Sequence, residues 1–269
     1  MSANYWDSSQ RNHWTVTRQG LLCSRLDDLQ FVDYMAVARF HIYFANFIHS
    51  IGKKLRLRQE IHATACVFFK RFYLKNSFSQ TDPFLTATTS LYLACKVEEL
   101  PHHLKTIFNE SRNILQFISS IRVIYIPTYA HPTLDNTSFT LLNPSTAADF
   151  FLSVMYFLKP RFLNDLPLDR GHLQFVWYVI NDSLRTDVCL LYPPHMIALG
   201  SLYIATVHRQ PGDNQTMKTW FAKLNVDIVE ILNVAQDMIT MYEVWHGLDE
   251  NEVLKSLETL QTRARQVQG

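Results

Sequence analysis

Two stretches of this chain repeat each other at a fixed distance. Pro83-Phe84-Leu85-Thr86-Ala87 matches Pro194-His195-Met196-Ile197-Ala198, and Ser90-Leu91-Tyr92-Leu93-Ala94 matches Ser201-Leu202-Tyr203-Ile204-Ala205. The step from 83 to 194 and from 90 to 201 is 111 residues in each case, and Phe40 pairs with Phe151 at the same step. A period of that size is too long for a solenoid and equals an ordinary single domain. The chain therefore reads as one helical domain used twice.

Residues 59–99 define what each copy is built around. Ile61, Ala65, Phe68 and Phe72 recur at helical spacing and make one apolar face. After a short polar loop, Asp82 and Pro83 give a helix start: Asp accepts hydrogen bonds from free amides, and Pro lacks an N–H that the first turn cannot pair. Ala87, Leu91 and Ala94 then line a side made of small residues, which lets neighbouring helices approach closely and places this helix in the middle of a bundle. It ends abruptly in charge at Lys96-Val97-Glu98-Glu99.

The rest of the chain follows from the same spacing. Residues 18–30 read as a short amphipathic helix or a linker. Residues 31–51 are helical through Phe40, Phe44, Phe47 and Ile51, with Gly52 as a natural stop. A fourth helix runs over 102–116 from Leu104 to Leu115. The second copy resumes over 147–163 with Phe151, Val154, Met155 and Leu158. It continues over 172–186, 194–208, 216–224 and 226–245, the last through Ile228, Ile231, Leu232, Ala235, Ile239 and Tyr242. The polar stretch from Asp249 onward has a weak pattern at Val253, Leu257 and Leu260 and reads as a frayed helix. Residues 117–138 break the pattern. Val123-Ile124-Tyr125-Ile126 with Pro127 and Pro132 disfavours helix where the repeat places the counterpart of 226–245. Either that helix has been replaced in this lineage, or an exon is misassigned there.

Composition narrows the function classes. In 269 residues, 48% are apolar, enough for a sizeable core, and only 7 are Gly, which fits helices with few tight turns. The formal charge of +1 lacks the basic excess of a nucleic-acid binder, so no direct nucleic-acid contact is expected. Cys23, Cys66, Cys95 and Cys189 are scattered without a CxxC, and three sit in apolar helical patterns, which reads as buried free thiols in a reducing compartment. No run approaches a membrane span and the N-terminus is polar, so neither a signal peptide nor a membrane anchor is expected.

No catalytic constellation emerges. His102-His103 point to different faces of a helix and have no Cys, Asp or Glu at ligand spacing, so no metal and no cofactor are expected. Glu98-Glu99 have no second carboxylate or nucleophile to work with. P-loop, GxSxG and GxGxxG motifs are lacking. Lys70-Arg71 read as a solvated basic rim. The positive signal is Lys96, which ends a small-residue helix in the first copy only; Val207 takes its place in the second. Lys can donate three hydrogen bonds to carbonyls, and Phe68, Phe69 and Phe72 lie near in sequence. Together they read as a docking face. Tyr5, Trp6 and Trp14 in the polar leader read as docking too, either onto the chain's own body or onto a partner.

Phe68-Phe69-Lys70-Arg71-Phe72-Tyr73 followed by Leu93-Ala94-Cys95-Lys96-Val97-Glu98-Glu99 resembles the cyclin box of the transcriptional cyclins, and cell-cycle cyclins typically carry Asp where Lys70 stands. The first copy alone suits an H-type or a C-type cyclin. Asn4-Tyr5-Trp6-Asp7-Ser8-Ser9 resembles the C-type leader. Ile180-Asn181-Asp182-Ser183, Thr186-Asp187, Cys189-Leu190-Leu191-Tyr192-Pro193-Pro194 and Trp220-Phe221-Ala222 resemble its second box. The likeness covers roughly 3–115 and 150–250.

The resemblance implies an all-α chain of two five-helix boxes: a leader over 1–30, a first box over 31–138 with 117–138 atypical, a second box over 139–248 and a polar tail over 249–269. It implies a non-enzymatic, nuclear regulatory subunit of a cyclin-dependent kinase in the Mediator kinase module, with other Mediator subunits as partners, acting on RNA polymerase II transcription. Kinase contact would fall to Lys96, Glu99, Phe68 and Phe72, extended by Trp6 and Tyr5. Cyclins usually place a Glu on the fifth helix as a partner for the Lys; here Asp135 and Asn136 stand near that position, after Pro132. Two other classes remain: a general transcription factor sharing the double box, which calls for a zinc ribbon and a basic face, and a helical scaffold with no kinase partner.

Overall fold

The structure is a computed structural model and describes residues 5–118, 154, 166, 168–209, 215–224 and 226–268. The expected helix over 147–163 and most of the irregular stretch 117–138 lie outside the described residues. Every regular element among the described residues is helical.

The first copy comprises α1 (Arg18–Cys23), α2 (Leu26–Leu29), α3 (Tyr34–Lys54), α4 (Gln59–Phe72), α5 (Pro83–Val97) and α6 (Leu104–Ile118). The caps are those that short polar side chains can supply. Asp33 accepts from the Ala36 N–H at 2.6 Å. Asp82 accepts from the Phe84 and Leu85 N–H groups at 2.9 and 3.3 Å, with Pro83 in the first turn. The small face of α5 is buried at Ala87, Leu91, Ala94 and Cys95, and the helix packs against α3, α4 and α6. It is the central helix, as its composition predicts. Thr88 and Ser111 hydroxyls meet at 2.8 Å between α5 and α6, and Thr88 also donates to the Phe84 carbonyl.

Aromatic side chains fill the space between α3, α4 and the loop before α5. The Phe44 ring lies 5.4 Å from Phe69 and 5.0 Å from Phe84, and Tyr73 stacks on Phe78 at 3.8 Å. Buried Asp28 of α2 holds that loop. Its carboxylate accepts the Phe78 and Ser79 N–H groups at 3.0 and 2.9 Å, while burial raises its pKa.

Three expectations for this copy are corrected. Gly52 does not stop α3, which runs on to Lys54; the chain turns instead at Arg56, whose φ is 54°. Gly52 is needed because the His62 imidazole of α4 lies against it, where a Cβ would collide. Lys70 and Arg71 are no solvated rim: they are 2% and 0% exposed. Every residue of α4 from Ile61 to Phe72 is buried, so this helix has no solvent face along that span. The third correction concerns the tail. Residues Glu250–Gln268 form a regular helix of 19 residues that packs on α3. Its stripe of Val253, Leu257, Leu260 and Ala264 is buried. Gln261 donates from Nε2 to the Phe78 and Thr81 carbonyls at 3.3 and 3.2 Å, and Arg263 to the Phe31 carbonyl.

The second copy comprises α7 (Arg170–Ser183), α8 (Val188–Leu191), α9 (Pro194–Arg209), α10 (Gln215–Lys223) and α11 (Ile228–His246); the tail helix is α12. Helices starting at 59, 83 and 104 in the first copy have counterparts starting at 170, 194 and 215, a step of 111 residues each time. Ala198, Leu202 and Ala205 of α9 are buried like their counterparts in α5. At Gly200 the approach is closer still: a Cβ there would lie 2.6 Å from Cγ1 of Val234 in α11.

The chain divides into two compact units. One joins Met1–Thr15 to Asp149–His246, and the other joins Val16–Ala148 to Gly247–Gly269. The leader thus belongs with the second copy and the tail helix with the first. Cys66, Cys95 and Cys189 are buried free thiols, and Cys23 is an exposed one.

Leu260→Ala is expected to destabilise the first copy by about 2–4 kcal/mol, because the side chain is fully enclosed; thermal unfolding followed by circular dichroism checks it, and a change under about 0.5 kcal/mol would mean a frayed tail after all. A second expectation concerns acid. Burial first, and His49 with its ring 4.9 Å away second, lower the His62 pKa from 6.5 to about 4. The unfolded chain then takes up the proton first. Stability from neutral His62 is complete above pH 6.5 and is lost as pH falls to about 4, by an amount on the order of 3 kcal/mol. Urea unfolding between those pH values should show this slope, and His62→Gln should flatten it.

Candidate functional site

The docking face expected from sequence lies at the end of α5. Lys96 is exposed on its last turn. Tyr92, one turn earlier and half-buried, lies beneath it, with Nζ 4.8 Å from the ring centroid. Exposed pairs of this kind contribute only about 0.5–1 kcal/mol. Glu98 follows as the helix cap, and its Oε1 accepts a 2.7 Å hydrogen bond from the Thr64 hydroxyl of α4. That bond ties the end of α5 to α4.

Glu99 completes the turn. Its φ is 52°, the left-handed region, and the Leu100 N–H reaches back to the Cys95 carbonyl at 3.0 Å. This is a Schellman ending with Glu where Gly is normal. The same geometry ends α3, where Arg56 is left-handed and the Leu57 N–H reaches the Gly52 carbonyl at 2.9 Å. A non-Gly residue in that conformation costs about 1–2 kcal/mol. At Glu99 the strain holds an exposed carboxylate just beyond Lys96.

Phe68 and Phe72 are placed differently from the expectation. They are 0% and 3% exposed and face the interior of the first copy. They support α4 from behind and present no surface to a partner in this state. Burial also raises the Cys95 thiol to about 11, which leaves it an inert core group beside Lys96.

Tyr5 and Trp6 belong to the other compact unit. The leader docks there through Gln10, whose buried Nε2 donates to the Cys189 carbonyl at 2.8 Å, and through buried Trp14. Trp6 is 52% exposed, with the Arg11 guanidinium 4.9 Å from its ring and His195 at 5.9 Å. The Tyr5 hydroxyl lies 3.3 Å from that of Thr15, and burial raises its pKa. Of the two readings of the aromatic leader, docking onto the chain's own body is therefore realised for Trp14, while Trp6 is half-exposed between Arg11 and His195.

Sequence reasoning missed Tyr92, Thr64 and the left-handed Glu99. Tyr92 stands four residues before Lys96, a spacing that puts both on one helical face, so it was legible. Thr64 carried no signal, because its bond to Glu98 joins residues of different helices. Among the described residues no group of His, Cys, Asp and Glu could hold a metal ion, and no helix is long and apolar enough to cross a membrane.

Known proteins resemble the chain along nearly all of its length. The family described as "Cyclin, N-terminal domain" matches residues 26–120, from the start of α2 to just beyond α6. Cyclin-C of Drosophila pseudoobscura pseudoobscura is 36% identical over 267 residues, covering 96% of this chain and 95% of the relative. The RNA polymerase II holoenzyme cyclin-like subunit of Aspergillus oryzae is 30% identical over 296 aligned residues, covering 93% and 94%. The fold is shared with a chain in the CAK complex of Chaetomium thermophilum bound to ATP-gamma-S, at a TM-score of 0.65 and 18% identity, covering 96% of this chain and 88% of that one. With the box helices repeated at a fixed step and more than a third of its residues identical to a Cyclin-C across both copies, the chain belongs to the cyclin family, in its C-type branch.

Proposed function

We propose that this chain is the regulatory subunit of a cyclin-dependent kinase, the kinase of the Mediator complex, and that it acts in the nucleus on RNA polymerase II transcription. The observation that carries this reading is the 30–36% identity, along nearly the whole length, to relatives named Cyclin-C and RNA polymerase II holoenzyme cyclin-like subunit. The geometry of the α5 end supports it, because that end presents an exposed cation on a rigid, internally tied corner.

The mechanism is a population shift. A kinase is active when the Lys of its β3 strand pairs with the Glu of its αC helix. A subunit that binds the αC-in state more tightly than the αC-out state raises its population by that difference alone. Moving the balance from 1:99 to 99:1 needs about 10⁴-fold preference, near 5.5 kcal/mol. Lys96 supplies up to three donors for carbonyls near αC, and leaving Tyr92 costs it little. Glu99 stands beside it as an acceptor. Phe68 and Phe72 act indirectly, by fixing α4 and hence Thr64 and Glu98. Trp6 and Tyr5 would extend the contact, and other Mediator subunits are further partners. Catalysis belongs to the kinase in this reading, and the chain needs no cofactor.

Lys96→Glu should lower kinase binding by about tenfold to a thousandfold, since a donor becomes an acceptor opposite carbonyls. Tagged wild type and variant, purified from nuclear extract and compared by mass spectrometry, check this; equal recovery of a kinase with both would place the contact elsewhere, and no kinase with either would favour the scaffold reading. Glu99→Gly separates strain from function. It should raise stability by about 1 kcal/mol by relieving the left-handed backbone and yet weaken kinase activation, because the carboxylate is lost.

A further inference from the structure

The turn between α3 and α4 concentrates positive charge in a chain whose formal charge is only +1. Lys53, Lys54, Arg56 and Arg58 fall within this one short run, and no Asp or Glu occurs from 34 to 59. All four side chains are exposed. Glu60 meets Arg58 at 4.0 Å, in a pair left exposed on both sides, where water leaves little attraction. The run is folded and is no basic tail. Lys53 and Lys54 lie in the last turn of α3, and Leu57 is buried with its N–H on the Gly52 carbonyl at 2.9 Å.

The second copy shows what such a turn needs. At the step of 111 residues, Leu55 and Leu57 correspond to Leu166 and Leu168, while the four cations correspond to Asn164, Asp165, Pro167 and Asp169. The leucines are shared and the charge is not. The dipole at the C-terminus of α3 accounts for Lys53 and Lys54, but it does not account for the two arginines. Arg56 has a φ of 54°, where Gly would be free of strain. Arg58 occupies the N-cap of α4 and makes no side-chain cap bond, and a cation there opposes the helix dipole. Its counterpart Asp169 caps α7, accepting from the His172 N–H at 2.7 Å. Folding alone favours neither arginine, and both present a guanidinium to solvent.

The chemistry of the turn narrows its partner. Guanidinium groups take carboxylates through paired donors. No Phe, Tyr or Trp occurs from 48 to 67, so the turn offers no platform for stacked bases. Leu55 is half-buried and Leu57 buried, which leaves no apolar anchor for lipid. A run of carboxylates needs neither.

We propose that the α3–α4 turn, through Arg56 and Arg58 with Lys53 and Lys54 beside them, docks an Asp- and Glu-rich segment of a partner protein. None of the residues assigned to kinase contact takes part, so either interaction can fail without the other.

The test uses the full chain and a fluorescein-labelled peptide of about 16 residues rich in Asp and Glu, with an Asn and Gln version as its control. Fluorescence anisotropy should show the acidic peptide binding, weakening as salt rises, and the amide peptide binding at least about tenfold less tightly. The double variant Arg56→Gly and Arg58→Asp separates binding from folding. It relieves the left-handed backbone and supplies a cap, so its thermal midpoint should rise by roughly 2–6 °C, while peptide binding falls by about tenfold or more. Lys75→Asp reverses a charge beyond the far end of α4, about 20 Å along the helix axis, and should leave binding within about twofold. No binding of the acidic peptide, equal binding of the two peptides, binding that survives the double variant, or an equal loss with Lys75→Asp would each overturn the proposal. A midpoint that falls in the double variant would assign the arginines to the fold and overturn it too. So would a DNA duplex or phosphatidylserine vesicles that bind more tightly than the peptide and lose binding in the double variant, which would make nucleic acid or a membrane the occupant.

Discussion

Close approach to a helix of small residues is the constraint on which the rest of the structure depends. Ala87, Leu91 and Ala94 in α5, and Ala198, Leu202 and Ala205 in α9, let neighbouring backbones come near enough to bury most of each helix. Gly200 shows the limit, since one methyl group there would meet Val234. Polar groups on the buried faces of α5 then find partners inside in most cases, Ser90 being an exception. The Thr88 and Ser111 pair does this within the core, and the Thr64 and Glu98 pair does it at the edge. Charge can then surface only where the enclosure ends, and that is where Lys96 and Glu99 stand.

Much of this was legible because period and step are properties of sequence. The fixed step of 111 residues located α7, α9 and α10 once α4, α5 and α6 were read. Asp82 and Pro83 marked the start of α5, and the cysteines were placed by their apolar neighbours. The misreadings share one cause. A sequence shows the polarity of a helix and does not show how many sides of it are covered. Lys70 and Arg71 look like a rim if α4 has an outside, and Phe68 and Phe72 look like contact residues if that outside is a docking face. Because α4 is surrounded, all four are interior. The tail was misjudged in the opposite direction. Three apolar residues in a charged stretch read as fraying until α3, far away in sequence, supplies their other half.

Glycine scarcity has a structural counterpart at the helix ends. Arg56 and Glu99 adopt the left-handed turn that glycine normally takes, and both endings reproduce the same backward hydrogen bond. The glycines are spent elsewhere: Gly52 and Gly200 make room for a neighbouring side chain. Packing density and turn geometry draw on the same residue type, and in this chain packing took precedence. One of the two resulting strained turns lies at the candidate docking corner, where it carries the exposed Glu99 side chain.

Two contacts between residues far apart in sequence have a kinetic consequence. Gln10 reaches a carbonyl 179 residues later in the chain, and Gln261 reaches one 183 residues earlier. During synthesis the leader leaves the ribosome long before the residues it binds exist. The face of α3 that α12 covers stays open until Glu250–Gln268 has been made. Neither half can finish alone, and contacts of such high order fold slowly and leave apolar surface open meanwhile. During that window holdases and assembly partners compete for the same uncovered surfaces.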